Sequence, residues 1–189
     1  MKTTLFALCA VLFACLSFAQ QPATPAMPQK TVVHAAHLLD VKSGKTLDNV
    51  NVVIEGDKIS SVTQGAPPPA GSKLITLPNA TLLPGFIDAH THLTYEPNFG
   101  YQELGISIPK EALIGAKNAR VTLEAGFTTV RNVGARGFTD VALRDSINEG
   151  LVPGPRMLVS GPPLSITGGH CDQNLLPYEY HATADGTAD

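Results

Sequence analysis

The sequence predicts an α/β protein in which a small strand-rich region precedes a parallel sheet or (β/α) barrel. Two patterns carry this expectation. Residues 31–80 hold short apolar runs separated by Gly, Asp and Pro, the punctuation of strands and turns. From residue 81 the rhythm changes to strand, helix, strand, helix, strand, the alternation that builds parallel sheets and barrels.

At 189 residues the chain is long enough for one domain or parts of two. An apolar fraction of 43% is ordinary for a globular protein. The formal net charge is only -3 and no Lys/Arg run occurs, which argues against nucleic acid as a partner.

Residues 1–19 read as a signal peptide. Met1-Lys2 gives a positive start, LFALCAVLFACLSFA an apolar core, and Ser17-Phe18-Ala19 a cleavage site before Gln20. The apolar run is shorter than the ~20 residues that cross a bilayer, so no stable membrane span is expected. The expected location is periplasmic or extracellular. Cys15, after Leu12-Phe13-Ala14, is the alternative as a lipid anchor, against which the apolar residues following it argue. Cleavage would leave Cys171 as the only cysteine, hence no intrachain disulfide. Residues 20–30, QQPATPAMPQK, form a flexible or extended linker.

The strand-rich region reads as TVVHAAHLLD, a turn at Gly44, NVNVVIEG, a tight turn at Glu55-Gly56-Asp57, DKISSVTQ, a Pro-rich loop and a short strand KLITLP. His34 and His37 lie three apart, so on a strand they face opposite sides and cannot share an ion.

LLPGFIDAHTHL, residues 82–93, differs from these. Leu82, Leu83, Phe86 and Ile87 suggest a strand covered on both faces. It ends in Asp-Ala-His-Thr-His, and alternation sends Asp88, His90 and His92 to one side. Paired neutral imidazoles are good ligands for zinc and similar divalent ions, and buried without partners they would be costly. A loop follows, then a helix over KEALIGAKNARVTLEA with Pro109 in its first turn and Gly126 as its stop. FTTVRNVG is the second parallel strand. Thr139 is placed to cap a helix DVALRDSINE, on which Asp140 and Arg144 form an i,i+4 pair, with Gly150 as its end. PGPRMLVSG is the third strand. No internal repeat goes beyond this alternation.

LLPGFIDAHTHL closely resembles the first barrel strand of the amidohydrolase superfamily. With GFTTVRNVG and PGPRMLVSGPPLSITGGHCD, the chain resembles the branch of imidazolonepropionase-like enzymes and secreted Xaa-Pro dipeptidase-type amidohydrolases, from Thr31 to its end. Asn132 departs from the pattern, where Asp is more frequent. The resemblance implies a (β/α)8 TIM-type barrel beside a small β-sandwich assembled from both ends of a longer chain. On that scheme residues 31–80 belong to the sandwich and 81–189 to the first three β/α units of the barrel, both incomplete. It also implies a metal-dependent hydrolase of carbon–nitrogen bonds in dipeptides or other small amides, using one or two zinc ions. Such sites add to His-x-His a lysine after the fourth strand, histidines after the fifth and sixth, and an aspartate after the eighth. Only His90 and His92 carry over as metal ligands. The expected catalytic aspartate would lie beyond Asp189, so the chain is expected to be an inactive N-terminal piece. A homo-oligomer is expected only of a full-length form.

His170, after Gly168-Gly169, is the implied substrate contact, for example to a dipeptide carboxylate; the alternative is a solvated loop histidine. Cys171 reads as a packing residue, since a sequence-adjacent histidine makes no dyad. Arg131 reads as a structural pairing residue near the rim, with anion binding as the alternative. Two other functions stay open: hydrolysis of lactones or carbamates, and a non-catalytic secreted metal-binding module using His90 and His92 alone.

Overall fold

The computed structural model describes residues 30–96, 105–172, 179 and 186–188. The leader and all but the last residue of the linker lie outside these. The chain divides into two compact units, Met1–Leu83 and Pro84–Asp189.

The first unit is a four-stranded mixed sheet. β1 (Thr31–Asp40), β2 (Lys45–Glu55), β3 (Lys58–Gln64) and β4 (Lys73–Leu82) lie in the order β3-β2-β1-β4. The β1–β2 and β2–β3 pairs are antiparallel, and β4 runs parallel to β1. Gly44 sits at φ +69° in the first turn, a backbone that favours glycine. Val32, Ala35, Val50, Val52 and Val53 are buried. His34 Nδ1 bonds Asn51 Oδ1 at 2.8 Å, and His37 Nδ1 bonds Asp48 Oδ1 at 2.7 Å. The two histidines thus serve separate cross-strand pairs, as their odd spacing requires. The described residues of this unit form one sheet, without the second layer of a sandwich.

β4 is longer than the KLITLP segment that propensity suggests. It continues through Leu82, which pairs with Leu38 of β1. Leu82 therefore does not belong to the strand that leads to His92. Pro84, which has no N–H to give to a ladder, lies between that strand and β4.

The second unit contains β5 (Phe86–Thr91), α1 (Ile108–Glu124), β6 (Phe127–Asn132), α2 (Thr139–Asn148) and β7 (Arg156–Val159). The strands are all parallel, in the order β5-β6-β7. A short pair, β8 (Ser165–Ile166) and β9 (Thr187–Ala188), follows. Pro109 lies in the first turn of α1, and Gly126 at φ +96° follows its C-cap, as helix signals predict.

Leu93, Ala119, Val130, Leu143 and Met157 form the core, with Ala116, Phe127 and Ile147 packed against it. Met157 on β7 joins this core, whereas its neighbour Leu158 is 59% exposed. Leu158 is in register with exposed Arg131 on β6. Among the described residues the helices therefore cover one face of the sheet. The expectation that β5 is covered on both faces fails: Phe86 is 48% and Ile87 73% exposed. β5 is an edge strand of an open three-stranded sheet, and it lacks the cover that a central strand receives. No helix of the described residues is long and apolar enough to cross a membrane.

Two details of α2 correct the sequence reading. Its N-cap is Phe138, in the left-handed region at φ 57°, and Thr139 is its first helical residue. The Thr139 hydroxyl donates back to Arg136 O at 3.0 Å. Asp140 does not pair with Arg144. The two left-handed residues Gly137 and Phe138 start the helix one residue early, and Asp140 is fully buried. Arg144 instead bonds its neighbour Asp145 at 2.8 Å.

Arg136 ties the loop after β6 to α1. Its Nε donates to Glu111 Oε1 at 2.8 Å and a second nitrogen to Ile106 O at 2.7 Å. Glu111 is only 2% exposed. Removing one partner of a buried pair leaves a charge without compensation, so Glu111→Ala is predicted to cost roughly 3–5 kcal/mol. Urea unfolding of the full-length protein checks this; a loss under about 1 kcal/mol, the range of an exposed pair, would contradict the latch.

Candidate metal centre

In a parallel sheet all strands end on the same edge, so the loops after β5, β6 and β7 meet there. His90 lies at the end of β5 and His92 just after it. Asp88 Oδ1 accepts the His90 backbone N–H at 3.0 Å, which fixes the last turn of this strand. The register of β5 on β6 shifts between Asp88 and Thr91, so simple alternation is interrupted. The two imidazoles nevertheless lie side by side, with ring centres 5.4 Å apart and planes at 69°. The predicted pair is therefore brought together, although both residues are exposed.

His92 is the more constrained ring. Tyr95 stacks on it at 5.6 Å and 26°. Its Nδ1 lies 3.2 Å from Gly134 O, beyond the end of β6. A carbonyl only accepts, so this bond requires the proton on Nδ1 and leaves the Nε2 lone pair free. Gly134 fits because a Cβ there would sit 3.3 Å from His92 Cε1 and from Pro163 Cβ and Cγ. The sequence reading missed this partner. The available signal was the glycine that closes FTTVRNVG, two residues beyond the end of β6, which permits close approach of backbone to a side chain.

Around this contact the three loops are stitched together. Val133 N–H bonds Thr91 O at 3.0 Å, and Ala135 N–H bonds Gly161 O at 3.0 Å. Asn118 of α1 donates to Leu93 O at 2.8 Å and Tyr95 O at 3.2 Å. Asn132, without assigned weight on sequence grounds, is fully buried. Its Oδ1 accepts Leu93 N–H at 2.7 Å. Its Nδ2 donates to Gly134 O at 3.0 Å and to Asp140 Oδ2 at 3.3 Å. Asp140 Oδ2 also accepts Gly161 N–H at 3.1 Å.

The pair suits a divalent ion in chemistry: two imidazole donors, one with its free nitrogen fixed by a backbone carbonyl. Among the described residues no group of three or more His, Cys, Asp or Glu could hold an ion. Two imidazoles alone fall short of the three or four protein ligands that a tight zinc site uses.

His170 is exposed and, among the described residues, shares no hydrogen bond or ring contact with either histidine. Its loop is tight, as the glycines suggest. Gly168, at φ +74°, donates its N–H to Asp172 Oδ2 at 2.8 Å. A Cβ on Gly169 would fall 2.3 Å from Ser165 Oγ. Cys171 is a half-buried free thiol. Arg131 donates from Nε to Ala89 O of β5 at 2.7 Å, a structural bond to backbone.

The sequence profile of the amidohydrolase family matches residues 81–188, and the chain belongs to that family. Over 155 residues it is 32% identical to ochratoxinase of Aspergillus niger, covering 78% of this chain and 31% of that protein. The chain thus spans about a third of the length of the curated relatives it matches. Three solved structures bear the same kind of likeness. A Xaa-Pro dipeptidase with methionine bound in its active site matches with a TM-score of 0.70 and 29% identity, over 85% of this chain and 41% of that one. A prolidase complexed with N-methylphosphonate-L-proline matches with a TM-score of 0.68 and 32% identity, over 82% and 36%. The A. niger ochratoxinase structure has a TM-score of 0.63 at 26% identity, over 79% and 35%.

The tautomer is directly measurable. Imidazole nitrogen NMR of the metal-free full-length protein is expected to show His92 protonated on Nδ1. A dominant Nε2–H signal would mean that the Gly134 contact does not hold the ring.

Proposed function

We propose that this chain supplies the first two metal ligands, His90 and His92, of a hydrolase acting on carbon–nitrogen amide bonds of small molecules or dipeptides. The observation that carries the reading is the adjacent pair of rings, with the Nδ1 of His92 tied to Gly134 O and its Nε2 left free. Membership of the amidohydrolase family supports it, as does likeness to a Xaa-Pro dipeptidase, a prolidase and ochratoxinase.

The cofactor in this reading is one or two divalent ions, with zinc favoured by imidazole donors. Such an ion supplies a nucleophilic water at neutral pH and polarises the carbonyl under attack. His90 and His92 would hold it through ring nitrogens. The Asp88 contact orients the backbone of His90, and the Tyr95 stack with the Gly134 carbonyl orients the ring of His92. The remaining ligands and the proton-shuttling carboxylate are assigned to residues outside those described. His170 is assigned to substrate, where an exposed imidazole on a tight loop suits a carboxylate. Export through cleavage before Gln20 completes the proposal.

In the full-length protein, His90→Ala or His92→Ala is expected to remove most bound metal and nearly all dipeptide hydrolysis. His170→Ala is expected to keep the metal and to raise KM or lower turnover. Metal analysis beside a hydrolysis assay separates these; metal content equal to the parent's in both His90 and His92 variants would refute the reading.

The export step has its own check. N-terminal sequencing of the secreted protein is expected to begin at Gln20. Material beginning at a lipid-modified Cys15 would replace cleavage there with a membrane anchor.

A further inference from the structure

We propose that Asn132 is a positioning residue for the metal centre: its buried amide holds the Gly134 carbonyl where it fixes the tautomer and direction of the His92 ring. The inference rests on the metal reading of His90 and His92.

The geometry leaves the amide little freedom. Asn132 is fully buried at the end of β6 and makes three hydrogen bonds, through Oδ1 and both hydrogens of Nδ2. Leu93 N–H needs an acceptor, so Oδ1 must face it, at 2.7 Å. The two hydrogens of Nδ2 then face Gly134 O at 3.0 Å and Asp140 Oδ2 at 3.3 Å. Both are acceptors. A single side chain therefore accepts on one side and donates twice on the other. An ionised aspartate, nearly the same shape, accepts only. In this chain it would oppose the Gly134 carbonyl and the Asp140 carboxylate together unless one carboxyl held a proton, and because Asp is the more frequent residue here in the resembled family, Asn132→Asp is the deciding variant.

The Asn132 side chain reaches His92 by two routes. Through Oδ1 it anchors Leu93, the residue next to His92 in the chain. Through Nδ2 it holds Gly134 O, which also takes the Nδ1–H of His92. Partners one step outside a metal's ligands govern how those ligands present their lone pairs, and their loss typically costs about 10–100-fold in metal affinity.

A purely structural role for the same amide makes a different prediction, and Asp140 separates the two. Asp140→Asn alters the buried pair but leaves Asn132 on Gly134 O. Asn132→Asp reverses the donor at Gly134 O. The double variant Asn132→Asp with Asp140→Asn restores a donor–acceptor pair between positions 132 and 140 without restoring the donor to Gly134 O.

The test measures the three variants in the full-length protein by thermal midpoint, zinc competition against a chelator, and imidazole NMR of the metal-free form. Asn132→Asp is expected to lower the midpoint, weaken zinc binding about 10–100-fold and mix the His92 tautomers. Asp140→Asn is expected to bind zinc within about threefold of the parent and to keep the Nδ1–H signal. The double variant is expected to regain midpoint but not zinc affinity or the single tautomer. Parent-like zinc binding and tautomer in either variant carrying Asn132→Asp would overturn the proposal. So would an Asp140→Asn variant as impaired as Asn132→Asp, because the role would then be general stability. If only the single variants fold, their comparison decides. Failure of the proposed function looks different: His90→Ala and His92→Ala would then leave zinc binding unchanged, whatever the Asn132 series does.

Discussion

One buried amide holds the working edge of the second unit together. A parallel sheet gives its strand ends no hairpins, so the loops leaving β5, β6 and β7 need bonds from elsewhere. Asn132 supplies three of them, to the loop after β5, to the loop after its own strand and, through Asp140, to the loop after β7. These groups lie out of water, so each bond left unmade would cost a desolvation penalty of about 1–3 kcal/mol. That penalty makes the arrangement specific. A loop can shift only if several buried polar groups lose partners at once. The candidate ligands sit on this edge rather than on a free loop, which is what geometric precision at a metal site requires.

Much of the fold was legible in the sequence, for physical reasons that differ by element. α1 was read from apolar spacing with Pro109 near its start and Gly126 after its end, because those signals are local. The hairpin at Gly56-Asp57 was read from turn chemistry for the same reason. What the sequence hid was tertiary. Leu82 reads as part of the histidine strand until β1 claims it through the Leu38 pairing. The Asp140–Arg144 spacing is correct for an ion pair on an isolated helix, but Asp140 is drawn inward by Asn132 and Gly161 N–H. Cover of β5 on both faces was an inference from apolar content, and composition does not say which faces the described helices meet.

The candidate site divides along the same line. Two histidines at i and i+2 on a strand are a local signal, and the rings do meet at 5.4 Å. The Tyr95 ring that stacks on His92 is local, but the carbonyl that holds its Nδ1 belongs to Gly134, 42 positions away, and no spacing rule points to a backbone carbonyl. In the sequence Asn132 is only a departure from the family pattern, where Asp is more frequent. Its weight lies in being a donor and an acceptor at once, a property visible only when its three partners are known.

The four histidines on strands or at strand ends show why spacing and surroundings must be judged together. His34 and His37 lie in β1 as His90 lies in β5, but they are three apart rather than two, and the register of β1 on β4 shifts between Ala35 and His37. Each then finds a side-chain partner on β2, Asn51 or Asp48, and its Nδ1 is occupied by that bond. Like the Gly134 carbonyl on His92, such a bond fills one nitrogen of the ring and leaves the other. His90 and His92 lack such a partner: His90 makes its structural bond through backbone N–H, and His92 through Nδ1 to a carbonyl. What differs is the company of the rings: those of His90 and His92 lie 5.4 Å apart, whereas His34 and His37 each sit with a separate side-chain partner. In the first sheet the neighbouring strand supplies side chains to the rings. In the second, a strand end sets two rings side by side, and an ion that needs several donors favours paired imidazoles over single ones.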